Sequence, residues 1–134
     1  MTSNTTPAGK AFGSSIYDAK FDYFNAFNEN SNGWVSKTGD TGEYIVYDFA
    51  KQVFPRQIGI KYNEITSGKT RHVKIQASND NDIYIDISED LGVKGTNILF
   101  QLTSNQKYRY IKMIENANNG TDGKGYKVQI YGTD

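Results

Sequence analysis

The sequence predicts an all-β fold, a single antiparallel β-sandwich or jelly roll, and three observations predict it. Short alternating or apolar runs recur along all 134 residues, turn-forming residues separate them, and no segment carries a convincing amphipathic-helix period. Composition agrees: 13 Gly and 10 Tyr against only 2 Pro, with abundant Asn and Thr, suits many strands joined by turns. The length is that of one domain able to bury a core without staples, and no repeat of solenoid or propeller length is present.

Residues 1–10 are polar and are expected to form a flexible tail, leaving 11–134 as the domain. Residues 20–27 are aromatic, with Phe21, Tyr23, Phe24 and Phe27, and have a weak helical period. The Asn32-Gly33 step favours the positive φ of a tight turn and delivers the chain to Trp34, the only Trp. Residues 42–49 read as the central strand: Tyr44 and Val46 alternate with Ile45, Tyr47 and Phe49, so both faces are apolar, and only Asp48 needs a polar partner.

Further strands are expected where residues alternate, at 57–62 with Ile58, Ile60 and Tyr62 on one face and at 71–78 with Val73, Ile75 and Ala77 on one face. A turn at 78–82 leads into 83–87, where three isoleucines alternate with Tyr84 and Asp86, predicting a hairpin. Strands at 97–102, 108–114 and 125–131 complete the set, the last two joined by a loop at 115–124 rich in Asn, Gly, Thr and Asp.

Charge and composition exclude several functions. Lys plus Arg and Asp plus Glu both number 15, which gives neither the basic footprint of a nucleic-acid binder nor an attraction to anionic membranes. With no Cys, disulfides and thiolate metal sites are unavailable. No apolar run marks a signal peptide or membrane span. A lone histidine, His72, without a nucleophile elbow is a poor catalytic base. Asp80, Asp82 and Asp86 shape turns, and the run from Asp80 to Asp82 lacks the glycine and distal glutamate of an EF-hand. No phosphate-binding glycine loop occurs, so no catalytic residue is assigned.

The ordered segments resemble the discoidin, or coagulation-factor C-type, domain, a galactose-binding-domain-like fold, and within it the family 32 carbohydrate-binding modules. Gly13-Ser14-Ser15 is similar to the family's opening Ala-Ser-Ser, and Asn25-Ala26-Phe27-Asn28 before Trp34-Val35-Ser36 to its Lys-Ala-Phe-Asp-Gly and Trp-x-Ser. Residues 42–49 resemble the strand ending Val-Asp-Leu-Gly, 71–80 the segment ending Ile-Gln-x-Ser-x-Asp, 108–112 the Arg-Tyr-Val-Arg strand and 128–132 the closing Glu-Phe-Tyr-Gly. The resemblance implies a jelly roll of about eight strands, a buried Trp34, and a ligand site on loops at one end, commonly for galactose or N-acetylhexosamine glycans.

On that basis the candidate loops are 36–42, 63–70 and 115–124, all polar, unlike the apolar spikes by which lipid-binding relatives insert into membranes. A sugar site asks for an aromatic face and a few fixed polar groups. The candidates are Lys37, Asn63, Arg71 and His72 from the middle loops, Asn118, Asn119 and Asp122 from the late loop, and Tyr17 or Tyr126 as platform. The structural calcium that the family often carries is disfavoured: Asn28 stands at its Asp position and Lys127 at its Glu position, and the Lys127 ammonium, with Glu29 as a further partner, is expected to link loop and last strand instead. The expected function is a non-catalytic carbohydrate-binding module for targeting or adhesion, working on a cell or virion surface within a larger bacterial or bacteriophage protein. The runner-up is a protein-interaction or virion decoration module of the same fold.

Overall fold

The computed structural model describes residues 9–28, 32–63, 70–117 and 125–134. It is an all-β antiparallel structure of eight strands: β1 (Lys10–Gly13), β2 (Tyr44–Tyr62), β3 (Arg71–Ser78), β4 (Ile85–Asp86), β5 (Leu91–Val93), β6 (Ile98–Gln101), β7 (Tyr108–Glu115) and β8 (Tyr126–Thr133). Two layers share one long strand. The first half of β2 pairs with β1 and β7, and β7 pairs with β3, which also carries β4 and β5. The second half of β2 pairs with β6 on one side and β8 on the other.

The expected strands at 42–49 and 57–62 are therefore one element. β2 passes from one layer to the other through a register irregularity between Asp48 and Val53, where Ala50 takes φ 63°. Asp48 Oδ1 accepts the Ala50 N–H at 2.7 Å, which holds the corner, and a second irregularity falls between Pro55 and Gln57, where a residue without an N–H interrupts the ladder to β8. Sequence reading saw two ends of one strand because the corner residues, 50–52, are exposed and polar or small.

The structure also refines the other elements. The hairpin strand at 83–87 shrinks to Ile85–Asp86, with Ile83 and Ile85 exposed and only Ile87 in the core. The aromatic stretch forms two 3-10 turns, Ala19–Phe21 and Tyr23–Phe27, capped by Asp18 and Asp22, whose carboxylates accept the N–H groups of Lys20 and Tyr23. β5, which the sequence reading missed, is only three residues long. The predicted tail ends one residue into β1, since Lys10 pairs with Asp48.

The core lies between the layers. Alternation turns Ile58, Ile60 and Tyr62 of β2 inward, with Val73, Ile75 and Ala77 of β3 and Ile111 and Met113 of β7, and they pack with Trp34, Tyr126 and Val128. Trp34 is fully buried, and its indole N–H donates to the Ser15 carbonyl at 2.9 Å. The same alternation carries one residue further at each strand end and turns Arg71 and Glu115 inward as well.

Candidate loop-end ligand site

Strand ends and loop flanks meet at one end of the sandwich. Gly42 N–H donates to the Glu115 carbonyl, Glu115 N–H to the Glu43 carbonyl, and Asn63 N–H to the Gly125 carbonyl. Trp34 and Tyr126 exchange both backbone hydrogen bonds, an approach that only glycine allows on either side: a Cβ on Gly33 (φ 89°) would stand 2.5 Å from the Tyr126 carbonyl, and one on Gly125 (φ 93°) 2.9 Å from Gly33. The flanks of all three expected loops thus converge.

Beneath them lies a buried polar cluster. Arg71, 3% exposed, lies with its guanidinium carbon 3.8 Å from the Tyr62 ring centroid and donates through Nε to the Tyr126 hydroxyl at 3.1 Å. Its terminal nitrogen stands 3.6 Å from Glu115 Oε1, an ion pair beyond hydrogen-bond length, and that oxygen has no hydrogen-bond partner among the described residues. Glu115 Oε2 accepts a long bond from Ser36 Oγ, which in turn accepts the Gly39 N–H at 2.8 Å. Burial pushes the Glu115 carboxyl up to about 7, the opposing pull of Arg71 and Ser36 only partly offsetting it. Burial likewise raises the Tyr126 phenol, while Arg71 stays charged because its phenol and carboxylate neighbours outweigh its own desolvation.

The rim above is polar and exposed. His72 Nδ1 lies 2.8 Å from Asp90 Oδ2, Asn116 Nδ2 donates to Asp90 Oδ1 at 2.8 Å, and Asn116 N–H donates to the His72 carbonyl. The amide of Asn116 and the His72 ring hold the Asp90 carboxyl below its ordinary range. Across the Trp34 segment, Tyr17 N–H donates to the Val35 carbonyl and Lys37 N–H to Ser15 Oγ, and the exposed Tyr17 ring meets Phe21 edge-on at 6.1 Å.

Of the residues expected to contact ligand, Tyr17, Lys37, Asn63 and His72 stand at this end with solvent access. Arg71 and Tyr126 stand at the same end but inside it; the Tyr126 ring stacks on Trp34 at 5.7 Å and meets Tyr62 edge-on at 4.7 Å, so it offers no open face. Asn118, Asn119 and Asp122 lie outside the described residues. Sequence reasoning missed Asp90 and Asn116, whose link spans 26 residues and leaves no local signal. It had a signal for Arg71, which shares parity with Val73, Ile75 and Ala77.

At the family's metal position, the Lys127 ammonium donates to the Asn28 carbonyl. An ammonium thus stands where the family's pattern has a carboxylate, a poor substitute for a calcium ligand, and no group of three or more acids or histidines that could hold a metal occurs among the described residues. Glu29, the further partner expected for Lys127, lies outside the described residues. No described helix is long and apolar enough to cross a membrane.

The sequence model of the F5/8 type C domain matches residues 9–129. No curated protein sequence matches the chain. Among solved structures, discoidin II of Dictyostelium discoideum superposes with TM-score 0.72 at 16% identity over 94% of this chain, which spans 55% of that one. The chitosan-binding module 1 of a Paenibacillus sp. IK-5 chitosanase/glucanase gives TM-score 0.70 at 19% identity, over 93% of this chain and 96% of the module. CBM62 from Clostridium thermocellum Xyl5A gives 0.71 at 16%, over 94% and 95%. At such identities the likeness is one of fold.

Proposed function

The chain belongs to the F5/8 type C domain family, and from that premise we propose that it is a non-catalytic carbohydrate-binding module whose ligand site is the loop end. The observation that carries this reading is the construction of that end: a rigid, buried Arg71–Tyr126–Tyr62–Trp34 stack beneath an exposed rim of Tyr17, Lys37, Asn63 and His72. Tyr17 supplies an aromatic face for the C–H side of a pyranose, and His72 and Lys37 supply groups for its hydroxyls. Arg71 and Tyr126 act as positioning residues, and Asn118, Asn119 and Asp122 complete the late-loop side. Galactose and N-acetylhexosamine glycans are the proposed ligands. The chitosan-binding relative supports an amino-sugar alternative within the same class. The working place is a cell or virion surface, as a targeting or adhesion piece of a larger bacterial or bacteriophage protein, a reading supported by the modular relatives being parts of longer chains.

A glycan array tests this. The expected outcome is binding to one sugar class, weakened about tenfold by Tyr17→Ala and by His72→Ala with melting temperature unchanged, since both side chains are exposed. Silence across glycans together with stable self-association would replace this reading with the protein-interaction or virion-assembly module.

A further inference from the structure

We propose that Asp90 is a ligand-contacting residue of the loop-end site, the fixed acceptor for two neighbouring hydroxyls of a sugar ring, and that its charge makes the site reject carboxylated sugars. The inference rests on the carbohydrate-binding reading above and names the group on which selectivity turns.

Three separate segments build this acceptor. Asp90 stands just before β5, His72 lies on β3 and Asn116 follows the last residue of β7. His72 alternates with buried Arg71 and Val73, so its ring faces outward. Gly92 of β5 is its cross-strand partner, and Asp90, two residues earlier, falls on the same outward face. Gly92 adds no side chain beside them. Asn116 reaches the pair from the other side of β3, tied to His72 by its own N–H.

The carboxylate is held at both oxygens. His72 Nδ1 stands 2.8 Å from Oδ2, and Asn116 Nδ2 donates to Oδ1 at 2.8 Å. These donors keep the carboxyl below its ordinary range, so it is ionised at neutral pH. An ionised carboxylate only accepts, and the His72 nitrogen therefore donates to it. Each oxygen retains a further acceptor position, and the side chain is 46% exposed, so two acceptors stand side by side toward solvent. Vicinal hydroxyls of a pyranose are a matching pair of donors. Because the acceptor is already oriented, binding orders little of the protein.

No lysine or arginine neutralises this charge. Lys74 is paired with Asp86 at 3.3 Å, and the ion pair of Asp90 among the described residues is with His72. A carboxylate on the ligand would lose water beside a like charge and find no donor there, which is the repulsive element that selectivity requires. Lys37, elsewhere on the rim, is unchanged in every variant named below, so a shift in the neutral-to-acid preference reports Asp90.

Calorimetric titration of the intact chain with galactose, N-acetylgalactosamine, N-acetylglucosamine and sodium galacturonate tests the assignment. The wild type should bind at least one neutral sugar and take galacturonate about tenfold more weakly or worse. Asp90→Asn keeps the shape and removes the charge. It should weaken the neutral sugar about tenfold, the loss of a charge-assisted hydrogen bond, and leave galacturonate no weaker, so the preference collapses. Asn116→Ala frees the carboxylate without discharging it, and should weaken the neutral sugar a few-fold while the rejection of galacturonate persists. Both side chains are exposed, so melting temperatures should match the wild type. The assignment is overturned, with the carbohydrate reading left standing, if the wild type takes galacturonate as tightly as the neutral sugar. It is equally overturned if a folded Asp90→Asn protein keeps the wild-type affinity or the wild-type preference. Silence with all four sugars and across a glycan array overturns both.

Discussion

Asp48 stands alone among apolar strand residues, and its surroundings explain why it is tolerated there. Arg109 clamps it with two bonds, Nε to Oδ1 at 2.8 Å and a terminal nitrogen to Oδ2 at 3.0 Å, while Oδ1 also takes the Ala50 N–H. Burial alone would raise its pKa, but those donors prevail and hold the carboxyl below the usual range, so the stability it contributes is present above about pH 4 and lost as pH falls through its lowered pKa. Asp48→Ala should cost about 2 kcal/mol in denaturant unfolding, the low end for a broken charged pair because Arg109 is 43% exposed and rehydrates. Sugar affinity of the folded variant should be unchanged; a variant as stable as wild type would refute the structural role. That Asp48 needed a partner was legible from its neighbours in the sequence, whereas Arg109, 61 residues away, was not. Arg71 shows the reverse: its parity marked it as inward, yet its charge suggested a ligand contact. The Tyr62 and Tyr126 rings, the Tyr126 hydroxyl and the Glu115 carboxylate together explain how a guanidinium is accommodated inside.

At the scale of the element, β2 decides the architecture. A strand of 19 residues that stayed straight could not serve two layers; the corner at residues 48–53 lets it leave one sheet for the other. Ala50 bears the conformational cost, because φ 63° crowds Cβ against the following carbonyl. Ala50→Gly should stabilise by roughly 0.5 kcal/mol, the relief of about 1–2 kcal/mol exceeding the 0.5–1 kcal/mol by which glycine loosens the unfolded chain. Ala50→Val, β-branched at an exposed position, should destabilise by more than about 1 kcal/mol. If chemical denaturation ranked valine at or above glycine, the corner would not be strained. Both halves of β2 were legible from alternation, but their continuity was not, since an exposed corner has the composition of a loop. Residues 83–87 misled for a related reason: alternating isoleucines signal a strand, yet β4 is an edge that covers little of the core.

For the whole molecule, Glu115 joins the layers to the loop end. Its backbone holds the 36–42 and 43–44 flanks, and its side chain lies between Ser36 and Arg71, so its protonation state bears on how firmly the platform is fixed. Desolvation raises it from 4.5 to about 7, with Arg71 and Ser36 opposing and Glu43 adding to the rise. A folded state that binds the proton more tightly than the unfolded chain is favoured where the proton is present. Its contribution is therefore complete below about pH 4.5, declines as pH rises toward 7, and is constant above. Asp48 acts with the opposite sign at lower pH, so stability should peak between about pH 4 and 4.5. Thermal melts between pH 4.5 and 7.5 should show the melting temperature falling as pH rises, by an amount on the order of 2 kcal/mol in stability. Glu115→Gln, which keeps the shape and cannot ionise, should flatten that slope while the loss below pH 4, which belongs to Asp48, persists. An unchanged slope in the glutamine variant would mean that Glu115 is ionised at every pH in that window, with Arg71 outweighing its burial.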